Sequence, residues 1–313
     1  MFVCFSGNIV AQTNLEDDFI NLLKDSTSSF EKKSLLTISV GAGNGVFSKK
    51  NNSLNANQEV LNKIFYNTTV DYRNTSGFGL TINSTFVPEN GKMNFYQAGI
   101  SPSYYFQNKN INTGISYTHF FASKNTSIAV NPFKNEVSGS FKWLKTLIRP
   151  SLQLVYSNGK SKQVYDTSFT VNNPSPPHTV HLINNVNTKI NDFTVSFTGD
   201  HRFNFESLFS KNDEFNIIPS IALNAGSSNS STISTGNFST SRKKKNGLAF
   251  TKKSKIGNSR QTFALQSLAL STDFYYSLGK FFVEPLIYAD YYLPATDAKR
   301  LATVFSIAAG VNF

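Results

Sequence analysis

The sequence has no run of 18 uninterrupted apolar residues, which excludes a helix long enough to cross a bilayer. Its richest apolar stretch, FFVEPLIYA at 281–289, is broken by Glu284. It has one cysteine, Cys4, so neither an intrachain disulfide nor a cysteine-based metal site can form. It is poor in charge, at 16% Asp, Glu, Lys and Arg, which argues against a disordered chain. Its hydrophobic share of 39% is low for a globular core, yet aromatics reach 14%, with 29 Phe and 13 Tyr. No nucleotide-binding glycine loop and no nucleophile elbow occurs. A chain that is polar on average, rich in aromatics and free of apolar 20-mers suits strands that show lipid only at every second residue.

The segment MFVCFSGNIVAQ reads as the tail of a secretory signal: an apolar stretch ends at Val10-Ala11-Gln12, although the basic leading region is missing. Residues 1–11 are therefore assigned to a signal remnant. From 12 to 33 the period is helical, with Leu15, Phe19, Leu22 and Leu23 on one face and Asp17 and Lys24 on the other. This segment either plugs the mouth of the domain that follows or folds on its rim.

After Ser34 the period becomes two. Candidate strands lie near 34–47, 63–73, 76–87, 93–107, 110–121, 135–143, 147–158, 188–205, 214–226, 262–278, 280–293 and 302–313. Strand 147–158 sets Ile148, Pro150, Leu152, Leu154 and Tyr156 against Arg149, Ser151, Gln153, Val155 and Ser157. Strand 188–205 sets Phe193, Val195, Phe197 and Phe203 against Asp192, Thr194, Ser196, Asp200 and Arg202. Over all the strands the apolar face carries a single charge, Lys189, at a strand tip where its ammonium can reach lipid headgroups. A charge at the bilayer midplane costs roughly 2–4 kcal/mol, so this near-absence is what lipid contact requires.

The connections alternate. Short turns fall at Arg73–Gly77, Gln107–Asn110, Leu144–Thr146, Glu206–Asp213 and Ser277–Lys280, opposite longer loops at 48–62, 122–134, 159–187 and 227–261. Two connections on the long-loop side, near Pro88–Lys92 and Pro294–Arg300, are also short. Aromatics gather at the short-turn ends: Tyr72, Phe78, Phe106, Trp143, Phe205, Phe215, Tyr276, Phe281 and Phe313. Such a ring is an interfacial girdle. Four prolines recur near the same ends, at Pro102, Pro150, Pro219 and Pro285. The reading is all-β: one closed antiparallel transmembrane barrel of about twelve strands over 34–313, preceded by the short amphipathic helix.

The chain ends Phe305-Ser-Ile-Ala-Ala-Gly-Val-Asn-Phe313. This resembles the assembly signal of bacterial outer-membrane barrels, with a terminal aromatic at Phe313, an apolar residue at Val311 and a polar one at Ser306. The family's glycine would fall at 308, which is Ala308 here, with Gly310 nearby. The resemblance implies residence in a bacterial outer membrane, contact with its lipid, and recognition by the barrel-insertion machinery during assembly. It identifies no functional subfamily.

Catalysis is not expected. His119 and His201 phase to the lipid side, and neither is two residues from a strand serine in the manner of outer-membrane phospholipases. His178 and His181 form His-Thr-Val-His without a third ligand, and no metal or other cofactor is expected. The inward charges are Asp71, Arg73, Glu136, Lys142, Arg149, Asp192, Asp200, Arg202, Asp273, Glu284 and Asp290, with Lys63 and Lys280 at strand tips. They line a channel with mild cation preference or form an ion-pair network that fills the lumen. The segment 227–261 reads as a basic outer loop holding Arg242, Lys243, Lys244, Lys245, Lys252, Lys253, Lys255 and Arg260. Such a run suits the phosphates of lipopolysaccharide or an acidic glycan; nucleic acid is not expected as a partner. A passive pore for small solutes is the leading functional expectation. A non-transporting scaffold whose basic outer loops bind an anionic partner comes second, and an enzyme third.

Overall fold

A computed structural model describes residues 34–48, 60–89, 91–123, 133–171, 178–240, 250–293 and 300–313. The signal remnant and the helix expected over 12–33 lie outside them, and every regular element among the described residues is a strand. In chain order these are β1 Leu35–Ser48, β2 Val60–Arg73, β3 Phe78–Glu89, β4 Lys92–Gln107, β5 Ile111–Ala122, β6 Phe133–Trp143, β7 Arg149–Val171, β8 His178–Asp200, β9 Phe203–Glu206, β10 Asp213–Thr240, β11 Phe250–Leu278, β12 Phe281–Tyr292 and β13 Leu301–Asn312.

Apart from β8 and β9, which both pair with β10, each strand pairs antiparallel with its neighbour in sequence, and β1 pairs with β13 from Thr37↔Asn312 to Gly43↔Ser306, so the sheet closes on itself. β8 and β9 are two segments of one stave, and thirteen segments therefore make a barrel of twelve staves. The interruption at His201–Arg202 has a local cause. It faces Pro219 on β10, which has no N–H to donate, although the Pro219 carbonyl still accepts from the His201 N–H at 3.2 Å. Pro102 and Pro285 likewise sit where the β4–β5 and β11–β12 ladders drop paired residues. Each proline costs its strand a rung near an end, where the loss matters least.

We call the rim at which β1 begins and β13 ends the near rim. Its turns are short and built from local hydrogen bonds. Between β2 and β3, Asn74 accepts from the Ser76 N–H at 2.6 Å and the Gly77 N–H at 3.0 Å, and Gly77 adopts φ 96°. A Cβ at Gly77 would also collide with the Tyr105 carbonyl. Between β9 and β10, Asp213 accepts from the backbone N–H groups of Phe209 and Ser210 at 2.8 and 2.9 Å.

The long loops expected at 159–187 and 227–261 are corrected by the structure. β7 continues to Val171 and β8 begins at His178, while β10 continues to Thr240 and β11 begins at Phe250. These four neighbouring strands have 23, 23, 28 and 29 residues, against 11 to 16 for the others outside β9. The shorter strands are long enough to cross a bilayer at a tilt. The extra dozen or so residues, at about 3.3 Å each, carry a four-stranded sheet some 25–30 Å beyond the far rim once tilted. Along these extensions apolar and polar residues no longer alternate, so the hydrophobic period of two vanishes while the hydrogen-bond ladder continues. That is why the sequence pattern stopped short.

The outward face is apolar and exposed, with Phe281 67%, Phe305 58%, Val40 58% and Ile287 57% accessible. Most inward positions are small, polar or charged, with buried apolar residues such as Val87, Val155 and Ile218 among them, and two glycines let aromatic rings lie flat against the wall. Tyr105 covers Gly114, and Phe282, stacked on Tyr275 at 5.7 Å, covers Gly310. A Cβ at Gly310 would come within 2.6 Å of the Ile38 carbonyl as well as striking the Phe282 ring. G310V is therefore expected to destabilise the folded barrel by about 1–3 kcal/mol. G257V, at a glycine with nothing within 4 Å of its would-be Cβ, should be silent; urea unfolding followed by Trp fluorescence compares the two.

The same assay tests the Asp213 turn. Desolvation raises the Asp213 pKa, but the backbone N–H donors of Phe209 and Ser210 and the Tyr276 hydroxyl outweigh it and hold the carboxyl below its ordinary value of 3.8. A depressed folded pKa contributes stability that is fully present above the unfolded value and is lost as pH falls through the folded one. D213N should thus lower the urea midpoint at neutral pH and shrink the acid-induced fall below pH 4. A parallel fall in both proteins would remove Asp213 from the account.

Candidate functional site

Antiparallel partners share a face of the sheet, so following register from strand to strand traces rows along the wall. One inward row is polar at every step. It runs Asn312 (β13), Thr37 (β1), Asp71 (β2), Thr81 (β3), Ser101 (β4), Thr118 (β5), Glu136 (β6), Ser157 (β7), Asp192 (β8) and Ser228 (β10). Its members bond in pairs. Thr37 donates to Asn312 at 2.8 Å, Thr81 donates to Asp71, and Ser101 and Thr118 share a bond of 2.8 Å. Ser157 donates to Glu136 at 3.0 Å, and Ser228 donates to Asp192.

Because barrel strands are tilted, a row of register partners is not level but winds along the axis. This one starts at the last residue of β13, on the near rim. It ends at Ser228, fifteen residues beyond Asp213 at the near-rim end of β10. It is a spiral of hydroxyls and carboxylates along the length of the barrel.

The eleven inward charges divide by height. Arg73, Lys142, Arg149 and Arg202 all stand at or next to the near-rim ends of their strands, with Asp71, Asp200, Asp273 and Glu284 at similar depth. Asp200 is gripped by Arg149, whose Nε is 2.6 Å away, and by Lys142 Nζ at 3.0 Å. Arg73 Nε bonds Asp71 at 3.1 Å and lays its guanidinium over the Tyr105 ring at 4.8 Å. Glu136, Asp192 and Asp290 belong to the far half, where the eleven charges include no base. All but Lys142 and Arg202 of the eleven are buried, Asp192 and Asp290 being 5% and 4% exposed.

The sequence reading picked these residues singly; the structure groups them into a near-rim ion-pair belt and a far-half acidic set. It also adds partners that no strand pattern reveals, the hydroxyls of Ser157, Ser228 and Thr81. Toward the far rim Val87 and Tyr96 pack with Phe65, and Phe120 and Phe133 pack with Ile190, as inward apolar clusters among the polar positions. Tyr96 turns inward beside Gln97 because a bulge at Thr85/Phe86 shifts the register there.

His119 bonds Asn135 at 2.8 Å, and His201 bonds the Leu147 carbonyl at 2.6 Å. Among the described residues no group of three or more His, Cys, Asp or Glu side chains could hold a metal ion. Of the basic set, Lys252, Lys253, Lys255 and Arg260 lie within strand β11 rather than in a loop, and Arg242–Lys245 lie outside the described residues. Ser306 pairs with Gly43 and Leu286, and Val311 with Ile38 and Phe281. Phe313, 59% exposed, exchanges backbone bonds with Leu36 at 2.9 and 3.3 Å under the Lys280 ammonium.

No protein-family model matches the chain, and no curated protein matches it. Solved barrels resemble it in architecture. A bacterial polysaccharide outer membrane secretin matches at TM-score 0.34 and 9% identity, over 91% of this chain and 99% of that one. OmpT of Vibrio cholerae matches at 0.22 and 5%, over 90% and 97%, and Salmonella typhi OmpF with daunomycin at 0.22 and 8%, over 89% and 97%. At scores this low they carry nothing about what the chain does.

The Asp200 contacts give a direct test. D200N leaves the Arg149 and Lys142 cations facing each other at low exposure, and is expected to cost about 3 kcal/mol in urea unfolding. An unchanged midpoint would show that the three do not act together.

Proposed function

We propose that the chain is a bacterial outer-membrane barrel acting as a narrow pore for small polar solutes, with a preference for cations. Membrane placement is supported by the outward face: large apolar side chains stand exposed around the whole barrel, far beyond the few hundred Å² that a soluble monomer tolerates. The near rim, with its short turns and aromatic girdle of Tyr72, Phe78, Phe106, Trp143, Phe281 and Phe313, is then the periplasmic one. The long strands β7, β8, β10 and β11 project from the cell surface.

The observation that carries the pore reading is the inward spiral from Asn312 to Ser228. It offers a solute hydrogen-bonding oxygens along the axis, and among the eleven lumen charges its far half holds carboxylates and no base. Twelve staves enclose more room than the eight that side chains fill and less than the sixteen of open porins. The low exposure of the lumen charges makes any path through them tight. That same burial favours a second reading, a filled barrel that conducts nothing.

Single-channel recording of the refolded protein in a planar bilayer separates the two. A pore is expected to give steady current and, under a salt gradient, a reversal potential of cationic sign. E136Q combined with D192N and D290N should move that potential toward zero while conductance persists. Silence from the full protein would sink the pore reading and leave the filled barrel.

A further inference from the structure

On the outward face of the long strands the residue type changes in the same order as each crosses the far rim. β7 reads Leu154, Tyr156, Asn158, Lys160; β8, running oppositely, reads Phe197, Val195, Phe193, Asn191, Lys189 when followed upward. β10 passes from Leu223 to Asn229, and β11 from Phe263 to Arg260. Register aligns these changes. Asn158 pairs with Asn191, Asn191 with Asn229 and Asn229 with Arg260, and one step higher on this face Lys160 stands directly opposite Lys189. Lys160, Lys189 and Arg260 are all exposed, and among the described residues no carboxylate pairs with any of them.

Two features of this patch need an explanation. First, like charges directly opposite on one face of a sheet, with Cβ atoms roughly 5 Å apart, repel and destabilise the pair. Among the described residues no carboxylate offsets that repulsion, so an anion between the ammoniums is the partner that would. Second, the height is specific. Lys160 is four residues beyond Tyr156, which at about 3.3 Å per residue and a tilt near 40° puts it about 10 Å above the last outward ring. That is the depth of lipid headgroups, and the face concerned is the one that touches lipid below. A ligand arriving there comes from the leaflet rather than through the lumen.

We propose that Lys160, Lys189 and Arg260 form a clamp for the phosphate of a phosphorylated glycolipid in the outer leaflet. The inference goes beyond the pore reading and rests only on its membrane placement. It also moves the basic site. The sequence suggested a solvent-facing loop, whereas the described cations stand on a rigid sheet face, and two of the three, Lys160 and Lys189, lie outside the loop's basic run. Lysine stems lie along the apolar wall while their ammoniums reach the phosphate level. Arg260, two staves away, offers a planar donor set to the same headgroup layer.

The test uses the full refolded chain in neutral detergent, titrated with a phosphorylated lipid A-type glycolipid, with the same lipid after chemical dephosphorylation, and with inorganic phosphate. Binding is read as the rise in the thermal unfolding midpoint. The phosphorylated lipid should bind at least about tenfold more tightly than the dephosphorylated one, with the difference erased by high salt. K160Q/K189Q should lose the discrimination and keep the binding of the dephosphorylated lipid. K160E, which sets a carboxylate opposite Lys189, should unfold no earlier than the parent without lipid and yet show no phosphate response, which keeps a folding defect from passing as support.

Equal binding of the two lipids by the parent, or full discrimination retained by K160Q/K189Q, would overturn the clamp. A full effect from inorganic phosphate alone would make it a free-anion site and overturn the lipid assignment. Binding of neither lipid would overturn the clamp and count against the membrane placement itself.

Discussion

Everything in this molecule depends on the closure of one antiparallel ladder. A sheet whose outward face is apolar around its whole circumference cannot expose an edge, because in hydrocarbon no water satisfies the free N–H and C=O groups. The pairing of β1 with β13 removes that edge, and Phe313 completes it by exchanging two backbone bonds with Leu36. Closure fixes the strand tilt and stagger, and these determine which side chains meet. The alternation of faces, the tolerance of prolines near strand ends and the fit of aromatic rings over Gly114 and Gly310 are all consequences of a register that cannot slip without turning every strand inside out.

How far the sequence reveals this architecture follows from the solvent on each face. Where one face meets lipid and the other the lumen, hydrophobicity alternates, and the strands from Leu35 to Trp143 and from Phe281 to Asn312 are legible to within a few residues. Where the chain turns polar, as in Ser227–Thr240 with its run of Ser, Asn and Thr, hydrophobicity no longer alternates and the pattern reads as loop although the ladder is intact. The break before β9 is equally invisible from its own residues, since its cause, Pro219, lies on another strand. Inward charges could be named one at a time from their phase. Their grouping could not, because Asp200 meets Arg149 and Lys142 only through the register of three strands.

The lumen poses a conflict that its charge arrangement helps to resolve. Bases close to the near rim are matched by acids at hand, an arrangement that stiffens the wall and contributes little net field. In the far half hydroxyls donate to the carboxylates, Ser157 to Glu136, Ser228 to Asp192 and Ser267 to Asp290. Among the eleven lumen charges, the far half holds acids and no base. Buried carboxylates are costly unless compensated, so their concentration there marks the region where a cationic group from outside the wall would be most stabilised.

The inner spiral and the outer asparagine row are neighbouring rungs of one ladder, and comparing them locates the lipid boundary. Inward, the rung Glu136–Ser157–Asp192–Ser228 continues a row that is polar from the near rim onward. Outward, the adjacent rung Asn135–Asn158–Asn191–Asn229 marks the change from Tyr156, Phe193 and Leu223 to amide side chains. His119 and Asn158 both bond Asn135, extending that polar edge to β5. A change confined to one face cannot come from strand propensity, which acts on both faces alike. It comes from the medium, and under the proposed placement the medium that tolerates aromatics below this rung and lysines above it is a bilayer meeting its headgroups. The Lys160–Lys189 pair is the next outward position, so its like-charge contact and its depth in the membrane follow from the same register.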